Sequence, residues 1–148
     1  MDRHHSKFME LAITLARKGK VTSGAGPFGA VIVKDDQIIA KAYNKVGKQQ
    51  DPTQHAELAV IQKACKVLKS KDLSGCILYT SCEPCMMCLG ACHWANFDVI
   101  YFGASADDAK KNGFIYSQVF YNSDQEKRYQ EFNMNQLLRD LAIKVWQD

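Results

Sequence analysis

Two short runs of the chain carry residue types suited to hydrolysis: His55-Ala56-Glu57 and Pro84-Cys85-Met86-Met87-Cys88. An imidazole and two cysteines offer one nitrogen and two sulfurs, ligand types that zinc favours. Catalytic zinc sites commonly take three ligands from the protein and leave the fourth position to water. His55, Cys85 and Cys88 supply such a set for one zinc per chain, and two thiolates beside a neutral imidazole balance its double charge. Zinc lowers the pKa of its water from about 16 to near 7 in favourable sites. Glu57 can take that proton and hand it to a departing group, because one carboxylate can serve as base and then as acid. The same residues with Cys82 added could instead close a structural Cys₃His site. Glu57 weighs against that arrangement, since a carboxylate two residues from a ligand has no required role in a closed site.

The elements that must position these groups follow from periodicity. Residues 6–18 read as an amphipathic helix, with Phe8, Leu11, Ala12 and Leu15 at three- and four-residue steps. Arg17, Lys18 and then Gly19 suit its C-terminal end, and His4 and His5 before it read as a solvated terminus rather than a metal tail. A glycine-rich loop over 24–29 leads into a β-branched strand at 30–33, a turn at Asp35-Asp36 and a returning strand at 37–43, which makes a hairpin. Residues 44–50 are polar and read as a loop. Asp51-Pro52-Thr53-Gln54 then has the composition of a helix start: Asp51 as N-cap, Pro52 at the first helical position and Gln54 closing a capping box. Leu58, Ile61, Cys65 and Leu68 supply the buried stripe of this helix, and His55 and Glu57 fall in its first turns, where both can reach one centre.

Residues 76–80 form a short apolar strand of the kind covered on both faces. Pro84 opens a second helix on which Cys85 and Cys88 face the same way. Another strand follows at 99–102, then a short polar segment at 107–112 ended by Gly113. Residues 125–146 read as helical in whole or part, with Leu137, Leu138, Leu141 and Val145 as the apolar stripe. The order predicts an α/β domain layered around a mixed sheet, one domain over 1–148. Both chemical motifs fall at strand-to-helix junctions, where sites gather in such sheets.

Composition sets bounds on partners. The net charge of +3 is weak, whereas tight nucleic-acid binders carry a denser basic face. Composition thus neither demands nor excludes a polynucleotide. No apolar run approaches the roughly 20 residues of a membrane span, and the first residues lack the apolar segment of a signal peptide. A cytoplasmic protein is expected, and its six cysteines then argue against a disulfide framework. Cys65, Cys76 and Cys92 sit in apolar patterns and read as small hydrophobes.

His-x-Glu followed by Pro-Cys-x-x-Cys is the known signature of zinc deaminases of nucleobases. The segment 26–103 resembles the cytidine/deoxycytidylate deaminase superfamily. Its pieces Pro27-Phe28-Gly29-Ala30-Val31-Ile32-Val33-Lys34-Asp35, Asp51-Pro52-Thr53 to Glu57 and Tyr79-Thr80-Ser81-Cys82-Glu83-Pro84-Cys85 look most like bacterial guanine deaminases. The resemblance implies a three-layer α/β/α sandwich of the cytidine deaminase kind and hydrolysis of guanine to xanthine and ammonia. It places the zinc on His55, Cys85 and Cys88 and the proton shuttle on Glu57. It also implies that Asn44 offers its amide to a purine base, that Phe28 and Trp94 line the pocket, and that Ala56 contacts the substrate. Asp108, in preference to Asp107, matches a family aspartate proposed to contact guanine or to assist proton transfer.

The tRNA adenosine deaminase branch shares Asp-Pro-Thr and the metal motifs and is the rival, with cytosine or a related amino-heterocycle third. Phe28 within Pro-Phe-Gly, and Trp94 in His93-Trp94-Ala95, favour the guanine branch. The family implies a homodimer acting on a small-molecule purine. The C-terminus, Val145-Trp146-Gln147-Asp148, departs from the guanine branch, where a swapped segment closes over the partner's site.

Overall fold

The backbone is built around a central strand, β3 (Cys76–Cys82), whose residues are nearly all buried, as the apolar run Cys76-Ile77-Leu78-Tyr79 requires. A computed structural model describes residues 3–148. In chain order the preceding elements are α1 (Arg3–Lys20), β1 (Gly26–Lys34), β2 (Gln37–Asn44), α2 (Val46–Gln49) and α3 (Ala56–Leu68). After β3 come α4 (Met86–Ala95), β4 (Val99–Ala104), α5 (Ala106–Lys111), α6 (Gln118–Asn122), α7 (Gln125–Glu131), β5 (Met134–Gln136) and α8 (Arg139–Gln147). The five strands run in the order β2-β1-β3-β4-β5. β1 pairs antiparallel with β2 and β3, while β3–β4 and β4–β5 are parallel, so the sheet is mixed.

Alternation along the strands sorts side chains onto two faces. Ala30, Ile32, Leu78, Ile100 and Phe102 pack with Ala56, Val60 and Ala64 of α3 and with Leu89 and Cys92 of α4. Val31, Val33 and Tyr79 meet Phe8, Met9, Ala12 and Ile13 of α1 and Ala142 and Val145 of α8. The result is the expected three-layer α/β/α sandwich. Gly29 permits a close approach between layers, because a Cβ there would lie 2.2 Å from the Ala12 carbonyl oxygen.

Several elements depart from the sequence expectation. α1 begins at Arg3, and His5 is not a solvated terminus: its Nδ1 lies 2.6 Å from the Tyr79 hydroxyl and its ring stacks on Tyr101. Asp51 does not cap α3. Its carboxylate accepts the Thr53 N–H at 2.9 Å and the Thr53 hydroxyl at 2.7 Å, closing a turn, and the helix starts at Ala56. An acid that can cap a helix can equally close an Asx turn, and composition alone does not choose between them. The buried stripe of α3 is Ala56, Val60 and Ala64, with Leu58, Ile61, Cys65 and Leu68 only half-buried. Residues 44–50 hold the end of β2 and the short α2 rather than a plain loop. α6 lies outside the expected elements, and β5 interrupts the helical tail; Leu137 and Leu138 precede α8, and Leu141 is exposed.

Candidate active site

The two ligand-bearing helices present their N-terminal ends to one place. His55 is the N-cap of α3 and Cys85 the N-cap of α4, both with extended backbone and neither using its side chain to cap its own helix. Each side chain is thus free to point past the helix end. Cys88, in the first turn of α4, falls on the same side as Cys85. The Asx turn at Asp51 and the Pro84 connection deliver these two N-caps, one from each motif.

His55 Nδ1 lies 3.7 Å from Cys85 Sγ and 3.6 Å from Cys88 Sγ. The ligand atoms of all three residues lie within 4.8 Å of one another. Zinc–nitrogen and zinc–sulfur bonds at a tetrahedral angle place N and S about 3.6 Å apart, so the observed separations are the edges of a zinc tetrahedron. The donor set therefore fits the metal, with a fourth corner open. Cys82 falls outside this group. Its sulfur lies 3.0 Å from the Tyr116 hydroxyl, which leaves no closed Cys₃His site.

Electrostatics at the site match its geometry. A hydrogen bond from Cys88, followed by the one from His55, holds the Cys85 thiol down at about 4 against the opposing effect of burial. The same contact with Cys85, together with burial, pushes the Cys88 thiol up. Two sulfurs this close share one proton, and a cation can displace it. The contact with Cys85 raises the His55 pKa, with a smaller contribution from Glu57, while burial opposes both. Glu57, the second residue of α3, is 6 % exposed. Burial first, and the Cys85 charge second, lift its carboxyl to about 7, opposed by its own backbone N–H, His55 and the Thr80 hydroxyl. A carboxyl poised near neutrality suits a group that must both accept and return a proton.

These groups border a cleft of about 430 Å³, in the range of small-molecule sites. Phe28, Asn44, His55, Glu57 and Cys85 all line it. The Asn44 Oδ1 accepts the Val46 N–H at 3.1 Å, which orients the amide so that Nδ2 is the group available to a ligand. Three other residues expected at the site are not brought to the cleft wall. Trp94 stands 79 % exposed on the outer face of α4, beside a separate shallow groove with Ile61 and Ala91. The Asp108 carboxylate is occupied elsewhere: it accepts the Ser105 N–H in a capping box and both Nε and Nη2 of Arg139, at 2.9 and 2.7 Å. Ala56 is fully buried at the start of α3.

Part of the cleft lining has no counterpart in the sequence reading. Phe114, Ile115, Tyr116 and Ser117, from the connection between α5 and α6, line the cleft together with Met86 and Met87. Phe28 and Phe114 meet edge to face at 5.0 Å, and Trp146 of α8 backs both rings while donating its Nε1–H to the Pro27 carbonyl at 3.0 Å. Only the aromatic cluster in residues 114–121 signalled this wall in the sequence.

Comparison with known proteins agrees with this geometry. The family model of the cytidine and deoxycytidylate deaminase zinc-binding region matches residues 2–104. Guanine deaminase of Bacillus subtilis (strain 168) is 45 % identical over 148 residues, 98 % of this chain and 95 % of that protein. Its X-ray structure superposes with a TM-score of 0.77 at 44 % identity, covering 99 % of this chain and 94 % of that one. The structure of guanine deaminase from Nitrosomonas europaea gives a TM-score of 0.84 at 28 % identity, covering 96 % and 82 %. The tRNA-specific adenosine deaminase of Aquifex aeolicus (strain VF5) is 41 % identical over 108 residues, 73 % of this chain and 70 % of that protein. No helix among the described residues is long and apolar enough to cross a membrane. With a metal-fitting His-Cys-Cys group inside the matched region, this chain belongs to the cytidine and deoxycytidylate deaminase family of zinc-dependent hydrolases.

Proposed function

We propose that this protein deaminates guanine, with water, to xanthine and ammonia. The observation that carries the proposal is the buried carboxyl of Glu57 in the same purine-sized cleft as His55 and Cys85, two of the three residues of the metal-fitting group that Cys88 completes. The near full-length match to a guanine deaminase, against the shorter match to a tRNA deaminase, supports guanine over a base within tRNA.

His55, Cys85 and Cys88 would hold the zinc, which when bound supplies the Lewis acidity that makes water acidic near neutral pH. Glu57 takes the proton of the attacking water as its oxygen adds to the ring carbon that bears the amino group. Glu57 then returns that proton to the amino nitrogen, the carbon–nitrogen bond breaks, and ammonia leaves. Asn44 donates from Nδ2 to an acceptor of the base and fixes its orientation. Phe28 and Phe114 give the ring an apolar wall and keep bulk water from its face.

The chain acts as one domain in the cytoplasm, where six unpaired cysteines are stable. Its partner is a second copy. The exposed Trp94, in a groove that holds Ile61 and Ala91 among Lys71, Asp72, His93 and Asn96, offers an aromatic anchor for that contact. Sedimentation of the zinc-loaded protein should give twice the chain mass, and Trp94→Glu should give the single-chain mass. Monomeric wild-type protein would overturn the pairing.

The test of the reaction is ammonia release from guanine, adenine, cytosine and guanosine, offered separately to zinc-loaded protein. Turnover of guanine alone is expected. Silence on all four, together with inosine formation in tRNA, would overturn the free-base reading.

A further inference from the structure

Glu83 is a buried carboxyl with no part in the reaction above, exposed by only 1 %. It precedes Pro84 in the connection that carries β3 into Cys85. Pro84 has no backbone N–H, so this connection cannot pin itself at that position. Glu83 does so instead. Its N–H donates to the Ala104 carbonyl at 2.8 Å, and its own carbonyl accepts the Tyr116 hydroxyl. Its Oε1 accepts the Ala106 N–H at 2.9 Å and the Tyr129 hydroxyl at 2.8 Å, and Oε2 accepts from Arg128 Nη2 at 3.3 Å.

Every donor to the side chain comes from residues 106–129, beyond the segment 2–104 matched by the family model. Burying a carboxyl is unfavourable unless its oxygens are paired and hydrogen-bonded. Here both oxygens are, and the partners lie 23 to 46 positions away in sequence. Arg128 is committed to the arrangement at some expense, since its Nε is buried without a hydrogen-bond partner while its guanidinium stacks on Phe120 at 4.1 Å. Tyr116 links this cluster to the cleft directly: it lines the wall and also contacts Cys82 Sγ at 3.0 Å.

We propose that Glu83 is a positioning residue for the metal ligands, and that Tyr116, Arg128 and Tyr129 clamp the Cys82–Cys85 connection through it. The C-terminal third of the chain thereby sets how tightly Cys85 and Cys88 hold the metal. The proposal rests on the zinc site described above.

Titration of the metal-stripped full chain with Co²⁺, followed by zinc competition against a chromophoric chelator, tests it without recourse to turnover. Wild-type protein should show the thiolate–cobalt charge-transfer band of a tetrahedral site. Glu83→Gln sets an amide N–H₂ against Arg128. It should weaken zinc binding about 10- to 100-fold, the usual effect of losing an outer support of a metal site, and shift the cobalt band. Tyr129→Phe and Arg128→Met keep the carboxyl and guard against a misfolded Glu83 variant. Each should weaken zinc binding at temperatures well below its own Tm. Wild-type spectra and zinc affinities within about threefold in folded variants would overturn the clamp, even if their Tm fell. Absence of the band in wild-type protein would overturn the metal site itself, and the clamp with it.

Discussion

Replacing Glu57 by Gln removes a carboxyl whose pKa burial, and secondarily the Cys85 charge, raise from 4.5 to about 7. In the folded chain that carboxyl keeps its proton over a range of pH in which the unfolded chain has already released it. Its contribution to stability is complete below the unfolded value of 4.5 and is lost as pH rises through about 7. At about 1.4 kcal/mol per pKa unit, the loss is on the order of 3 kcal/mol. Urea unfolding of the metal-stripped protein, in reductant and chelator, measures it as the difference between wild type and Glu57→Gln at each pH. The variant should gain on the wild type by this amount between about pH 4.5 and pH 7. Parallel curves would refute the reasoning, because they would mean that Glu57 titrates as an exposed acid. In zinc-loaded protein the same variant should keep its metal and lose turnover by about 10²- to 10⁴-fold. A variant as active as wild type would remove Glu57 from the proton path.

Other substitutions test the cleft and its supports. Asn44→Ala should raise KM for guanine about tenfold or more, the effect of one lost hydrogen bond to the base, with zinc content unchanged; an unchanged KM would take Asn44 out of recognition. Trp146→Ala should raise KM more than it lowers kcat, because Trp146 touches the rings of Phe28 and Phe114 and not the metal group. Steady-state kinetics decides this, and a pure loss of kcat would contradict it. Arg139 beside Asp108, with the Ser105 N–H, holds that carboxyl down at about 2. The pair therefore stabilises the fold above the ordinary value of 3.8, and that stability is lost as pH falls through about 2. Arg139→Ala should lower stability at neutral pH, by a margin that solvent and salt screening of the exposed guanidinium keep small, and have little effect below about pH 2. Urea unfolding at both pH values checks it.

The metal group and Glu57 were legible in the sequence because zinc chemistry permits few residue types and few spacings. The sheet was largely legible for a related reason: β-branched and apolar runs at 30–33 and 76–80 leave little choice of structure. What escaped depended on partners distant in sequence. Asp108 meets Arg139 thirty-one positions away, and no local pattern distinguishes that ion pair from a purine contact. Trp94 sits on a helix whose apolar residues occupy several faces, so periodicity could not say whether it faced the cleft or the outside. Asp51 and Pro52 obey the rules of a helix start and of an Asx turn equally well, and the turn prevailed. β5 is three residues long, too short for any alternation to register. The wall at residues 114–117 carries no motif. Only the fold brings it into one cleft with His55.

The most direct measurement is guanine turnover by metal-stripped protein as zinc is returned in steps. Xanthine and ammonia should be absent at the start, rise in equal amounts with each addition and level off at one zinc per chain. Turnover that persists without metal, or fails to return at one equivalent in folded protein, would contradict zinc-dependent deamination of guanine at His55, Cys85 and Cys88.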